Sequence, residues 1–189
     1  MIRIGVLGKI GAGKSYVANS FGYPVFNADL EVSELYKKNK KIFNKLNKEL
    51  PKYITTFPID KNQVIKTILS NNRNFKKILK IVHKEIRKKL NLFLRKNKNK
   101  KIVILDIPLL LENKIDNKKD ILVFVDSPKK KILEKLKKRS NFNPKLFNKF
   151  NKIQYNSEYK KRKSQFIIKN KFTSKSVTIA VKNILINIL

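Results

Sequence analysis

Apolar residues follow two rhythms along the 189-residue chain. One is a set of short continuous runs: Ile2, Ile4, Val6 and Leu7; Tyr23-Pro24-Val25-Phe26; Ile102-Val103-Ile104-Leu105; Ile121-Leu122-Val123-Phe124-Val125; and Phe166-Ile167-Ile168. Such runs suit parallel strands buried on both faces. The other rhythm has the helical period, with one apolar face. Val17, Ala18 and Phe21 predict a helix from Lys14 to Phe21. Val32, Leu35, Tyr36, Phe43, Leu46 and Leu50 predict helical structure with breaks signalled near Asn39 and Pro51. Asp60-x-x-Gln63 has the form of a capping box opening a helix through Leu69. Phe75, Ile78, Leu79 and Val82, then Ile86, Leu90 and Phe93, continue the helical spacing up to a polar linker at Asn97 to Lys101. Ser127-Pro128 reads as an N-cap and first-turn proline for a helix to about Lys138, and Asn143-Pro144 repeats the signal for a helix to about Arg162. Thr173 or Ser174 caps a last helix ending at Ile188.

Strands therefore alternate with helices, and the longest gap between strands, Asp29 to Ile102, is filled by helices. That order predicts an α/β doubly wound parallel sheet with a helical insertion, binding its ligand at the carboxyl ends of the strands. Gly8, Asp29, Asp106 and Asp126 all fall at such ends.

Glycine adds the first chemistry. All five glycines lie between Gly5 and Gly22, and three of them form Gly8-Lys9-Ile10-Gly11-Ala12-Gly13-Lys14-Ser15. This is the phosphate-binding pattern G-x-x-x-x-G-K-[ST], here in its required setting after a strand and before a helix. Glycine permits positive φ and close approach of the backbone to a ligand. The loop Gly8, Ile10, Gly11, Ala12, Gly13, Lys14, Ser15 and Tyr16 is thus the expected cradle for the β- and γ-phosphates of ATP. Lys14 neutralises them and the Ser15 hydroxyl ligates Mg²⁺. The fold class sharpens to a P-loop NTPase-type sheet flanked by helices. A single domain is expected, with a nucleotide core at 1–30, 100–128 and 164–189, a helical substrate-binding insertion at 31–99 and a helical lid at 129–163.

Composition narrows the classes. The chain has no cysteine, which excludes disulfides and thiolate metal sites. No apolar stretch is long enough for a transmembrane helix. The first strand begins directly after Met1, so a cytoplasmic, membrane-free protein is expected. The net charge is +33. It comes almost wholly from lysine, arginine being confined to Arg3, Arg73, Arg87, Arg95, Arg139 and Arg162. Base reading and bidentate phosphate capture favour arginine. With Lys, Asn and Ile abundant together, the charge reads as compositional drift on solvated faces, and no specific nucleic-acid partner is expected.

Where acids and arginines are scarce, the few in polar loops stand out. Asp29 is a candidate to orient or deprotonate the hydroxyl of a phosphate acceptor, or a helix cap. Asp106 occupies the position of a Mg²⁺-holding acid, or forms a turn before Pro108. Arg139 closes a Lys-rich helix of the lid, one turn beyond Lys135, and is placed to clamp anionic oxygens. His83, the only histidine, earns no role from its spacing alone.

In order, these pieces resemble the dephospho-CoA kinase family. Its P-loop stands here as Gly5-Val6-Leu7-Gly8-Lys9-Ile10-Gly11-Ala12-Gly13-Lys14-Ser15, and its D-A-D strand end as Asn27-Ala28-Asp29. H-P-x-I stands as His83-Lys84-Glu85-Ile86, and P-L-L-F-E as Pro108-Leu109-Leu110-Leu111-Glu112. The lid pattern R-L-x-x-R stands as Lys135-Leu136-Lys137-Lys138-Arg139, followed by Gln154, Lys160 and Asn170 at the family's spacing. The resemblance implies ATP- and Mg²⁺-dependent phosphorylation of the ribose 3′-hydroxyl of dephospho-CoA. It implies Asp29 as base, Lys14 and Arg139 as phosphate clamps, and His83, Pro108 and Leu109 as contacts of the CoA precursor. Asn170 is implied near the adenine. Asn27, Lys84, Lys135 and Gln165 depart from the family pattern, and a lysine at 135 keeps the charge without the guanidinium fork. Two other readings remain open here: a P-loop kinase for another small acceptor such as a nucleoside monophosphate, and a basic nucleic-acid-binding NTPase. Oligomeric state is left undetermined.

Overall fold

A computed structural model describes residues 1–140 and 142–189. In chain order the elements are β1 (Ile2–Gly8), α1 (Lys14–Ser20), β2 (Val25–Asn27), α2 (Ala28–Lys38), α3 (Lys40–Glu49), α4 (Lys61–Ser70) and α5 (Asn72–Lys96). There follow β3 (Ile102–Asp106), β4 (Ile121–Asp126), α6 (Lys129–Lys137), α7 (Pro144–Ile153), α8 (Ser157–Lys163), β5 (Phe166–Lys169) and α9 (Ser174–Ile188). The chain divides into two compact units, one of residues 1–27 and 97–189, the other of residues 28–96.

The first unit is a five-stranded parallel sheet in the order β2-β3-β1-β4-β5. Each apolar run became a strand because its side chains, alternating between faces, are buried on both. Ile4, Val6, Ile102, Ile104, Val123, Val125 and Ile168 form one core with Val17 and Phe21 of α1, Ile132 and Leu136 of α6, and Val177, Val181 and Ile184 of α9. The alternate positions, among them Leu7, Val103, Leu105, Leu122 and Phe124, are buried too. Gly5 lies among these, and a Cβ there would meet Leu110 and Leu122 side-chain carbons at 2.6 and 2.9 Å. Helix α8 packs on β1 and β4. The charged end of the first strand is also tied down, since Arg3 donates to Asp120 Oδ2 at 2.9 Å and to the Ile115 carbonyl at 3.3 Å.

The second unit is all helical. Leu35, Ile42, Leu46, Ile54, Ile68, Phe75, Ile78, Val82, Ile86 and Leu90 are its buried apolar residues. The expected interruption falls at Asn39, whose side chain accepts the Ile42 N–H at 3.0 Å and caps α3. The apolar stripe of α5 runs unbroken for 25 residues.

Four local expectations are corrected. Asp60 caps α4 through the Asn62 N–H, but the capping box does not close, because Gln63 is bonded to Thr55 instead. Ser127 does not cap α6. Pro128 holds that position without a side-chain bond, and the Ser127 hydroxyl points to the nucleotide loop. The helix expected from Pro144 to Arg162 is two helices, parted at Gln154, whose backbone is extended, and restarted by Asn156, which accepts the Tyr159 N–H at 2.7 Å. Thr173 precedes α9 with no capping bond, its hydroxyl going to Ser176.

Leu46 is fully buried in the helical unit. Leu46→Ala is expected to lower unfolding stability by about 2–5 kcal/mol, read as a shift in the urea midpoint without a change in slope.

Candidate active site

β1 delivers its chain directly into the glycine loop. Gly11 and Gly13 take φ values of +83° and +86°, and Gly13 caps α1. These are left-handed conformations that glycine adopts without penalty. Sterics behind the loop impose the same requirement. A Cβ on Gly11 would lie 2.9 Å from Leu136 Cγ and 3.1 Å from Ile132 Cγ2, both on α6. One on Gly13 would lie 2.6 Å from Asn170 Nδ2. The glycines were expected for the sake of the phosphate; they are demanded also by the protein that backs the loop.

Ala12, between them, is buried, and its carbonyl accepts from Ser127 Oγ at 2.8 Å and from Asn170 Nδ2 at 2.9 Å. Asn170 is itself buried. Its N–H donates to the Asp126 carbonyl at 2.7 Å and its Oδ1 accepts the Phe172 N–H at 2.8 Å. This residue, expected near the adenine, is thus engaged in bracing the loop. Ser127 plays the same part and was missed as such, because its place before a proline signals a cap. The Phe172 backbone has φ +61°, and Lys135 Nζ sits 5.0 Å from the centre of its ring. Lys14 Nζ donates to the Lys9 carbonyl at 3.0 Å. Ser15 and Tyr16 are exposed at the start of α1, and Ile10 is half-buried.

Asp106 ends β3 beside β1, so the loop and this acid occupy the carboxyl ends of adjacent strands. It is buried, and its Oδ2 accepts from Asn27 Nδ2 at 2.7 Å, across the register pair Asn27 and Asp106. An amide at 27 supplies a donor where a second carboxylate would face Asp106 with like charge. Pro108 is half-buried, with its carbonyl taken by Gln154 Nε2 at 3.2 Å, and Leu109 is buried. Arg139 is exposed just past α6, and its N–H donates to the Leu136 carbonyl at 3.1 Å. The basic end of that helix is therefore tied to the residue that seats against Gly11.

The other two candidates belong to the helical unit. Asp29 is exposed in the first turn of α2, which begins at Ala28, so it is not the cap of that helix. A carboxylate there is favoured by the helix dipole. His83 is half-buried on α5, one turn before Arg87. Burial, with the Arg87 charge adding to it, holds its pKa below the ordinary imidazole value of 6.5. The imidazole is accordingly neutral near pH 7 and able both to donate and to accept.

Residues 2–176 match the sequence model of a family described as Dephospho-CoA kinase. A dephospho-CoA kinase of Wolbachia pipientis wMel is 34% identical over 186 residues, covering 96% of this chain and 95% of its own. Among solved structures, one from Thermus thermophilus superposes with a TM-score of 0.77 at 23% identity, covering 100% of this chain and 98% of its own. The dephospho-CoA kinase from Campylobacter jejuni has a TM-score of 0.61 at 22% identity, covering 98% and 96%. No helix among the described residues is long and apolar enough to cross a membrane.

Two outcomes are expected. Gly13→Ala should weaken ATP binding by at least about tenfold, about 1.4 kcal/mol, because strain and the Asn170 contact both displace the loop; isothermal titration checks it. His83 has a folded pKa below its unfolded one, so the unfolded state takes up more protons as pH falls through 6.5, and stability present above 6.5 is lost below it. Melting curves should show the wild type losing more stability than His83→Gln on acidification from pH 7.5 to pH 5.5, each about one unit from the unperturbed value.

Proposed function

The chain belongs to the dephospho-CoA kinase family, and from that premise we propose how its own residues divide the work. The reaction is transfer of the γ-phosphoryl group of ATP to the ribose 3′-hydroxyl of dephospho-CoA, giving coenzyme A and ADP. Phosphoryl transfer asks a protein mainly for position and charge neutralisation, and the residues described above supply both.

The N–H groups of the loop from Gly8 to Ser15 bind the β- and γ-phosphates, with Ile10, Gly11, Ala12, Gly13 and Tyr16 in the ATP site. Lys14 exchanges the Lys9 carbonyl for phosphate oxygen, replacing a neutral acceptor by an anionic one. Arg139, exposed at the end of a helix seated on Gly11, adds positive charge to the same phosphates. Asp29 accepts the proton of the attacking 3′-hydroxyl as the new P–O bond forms and the bond to ADP breaks. His83 contacts the CoA precursor as a neutral hydrogen-bonding group, and the Pro108 and Leu109 segment borders the acceptor. Asn170 serves ATP through the loop it braces.

Mg²⁺ fits the donor set. The Ser15 hydroxyl and the Asp106 carboxylate are hard oxygens, and Mg²⁺ ordinarily completes its shell with water and substrate phosphates rather than with a protein cage. That agrees with the described residues containing no cluster of three or more metal-binding side chains. When bound, the ion neutralises charge that develops on the transferring group.

The observation that carries this reading is the continuous match over residues 2–176, which takes in the phosphate loop, Asp29, the helical unit with His83, and Asp106. An acceptor screen with ATP and Mg²⁺ tests it: turnover with dephospho-CoA and none with nucleoside monophosphates is expected, and the reverse result overturns it. Hydrolysis of ATP stimulated by nucleic acid at moderate salt would instead favour a nucleic-acid-dependent enzyme. Asp29→Asn is expected to reduce kcat by about a hundredfold or more while ATP affinity, measured by titration, stays near wild type. Normal turnover would remove Asp29 from proton transfer.

A further inference from the structure

One ion pair in the sheet unit is sealed from water. Lys160 Nζ lies 2.8 Å from Glu112 Oε1, and the two side chains are 3% and 8% exposed. Lys160 is on α8, and Glu112 is in the segment that follows Asp106. The contact is not a lone charge pair. Glu112 Oε1 also accepts the Tyr155 N–H at 2.8 Å, and Gln154 Nε2 reaches the Pro108 carbonyl at 3.2 Å. Three links therefore join the stretch from Pro108 to Glu112 to the point where α7 gives way to α8. Glu112 Oε2 is buried with no hydrogen-bond partner among the described residues, so the pair is not fully satisfied.

Such a pair is a poor source of net stability, because removing two charges from water costs about as much as their attraction returns. Its placement suggests geometry as the use. At the other end of the same helical segment, Ile132 and Leu136 of α6 are buried against Gly11. Between these anchored ends, α7 has no buried residue. An unanchored helix held at both roots can move only as far as the roots allow.

We propose that Glu112 and Lys160 are positioning residues that clamp the root of α8 to the segment following Asp106, so that α7 alone closes over the bound phosphates and shuts water out of the transfer. This rests on the phosphotransferase reading above. A loosened root leaves α7 without a fixed closed position, and water then competes with the acceptor hydroxyl, converting ATP to ADP and inorganic phosphate.

The test compares wild type with the double variant Glu112→Gln/Lys160→Gln, which removes both charges and so strands neither. The readouts are melting temperature, kcat, the KM for ATP, and ADP released per dephospho-CoA phosphorylated. A folded double variant is expected to release several ADP per phosphorylated acceptor where the wild type releases one, with kcat lowered about tenfold and the KM for ATP little changed. A folded variant with wild-type kcat and a ratio of one overturns the proposal and leaves the pair a packing feature. Should the double variant not fold, Glu112→Gln alone, which keeps an Oε1 acceptor for the Tyr155 N–H, is judged by the same two outcomes. Amide hydrogen exchange needs no acceptor and separates this proposal from the choice of substrate. Faster exchange confined to residues 154–163 in the variant supports the clamp even if wild type fails to phosphorylate dephospho-CoA, and unchanged exchange there overturns it.

Discussion

The carbonyl of Ala12 is where the phosphate site meets the rest of the fold. A loop that aims its N–H groups at an anion turns carbonyls the other way, into the protein, where an unpaired one costs free energy. Here Ser127 and Asn170 supply two donors to that one oxygen. Both donors come from beyond the carboxyl ends of β4 and β5, which lie beside β1 only because of the sheet order. Asn170 is fixed in turn by the Asp126 carbonyl and the Phe172 N–H. The cradle is thus braced before any nucleotide arrives, and preorganisation of this kind is what electrostatic catalysis depends on.

The same crowding explains how glycine came to be concentrated in one part of the chain. Leu136 fills the space where a Gly11 Cβ would stand, and Asn170 the space at Gly13. The loop is pressed from behind by protein and kept open in front for phosphate. A chain whose composition drifts toward Lys, Asn and Ile still keeps glycine where two surfaces close on the backbone together.

Charge is informative only where it is buried. The net charge of +33 is spread over solvated lysines, and pairs such as Lys38 with Glu34 are exposed, where each contributes at most about 1 kcal/mol. Asp106 and Lys160 differ because desolvation makes an unmatched charge costly, so each has a defined partner, Asn27 in one case and Glu112 in the other. The amide of Asn27 lets a buried carboxylate persist at a strand end without a second negative charge across the register.

Periodicity and backbone sterics determined the strands, most of the helices and the phosphate loop from sequence, because burial of an apolar face and the freedom of glycine act over a few residues. The strand run before Asp106, the stripe of α5 and the interruption at Asn39 were legible in that way. Side-chain partners were not. Ser127 carries the local signature of a cap and instead serves Ala12, 115 positions away in the chain. Gln63 completes the spelling of a capping box and turns to Thr55. The break at Gln154 carries no proline or glycine, and it is stabilised by contacts with Pro108 and Glu112 that no window of neighbouring residues contains. Asn170 could be matched to a nucleotide site by resemblance, but only the sheet order showed that its amide braces the loop. A hydrogen bond is satisfied by whatever the fold brings within about 3 Å, and that is decided by tertiary packing rather than by the residues on either side.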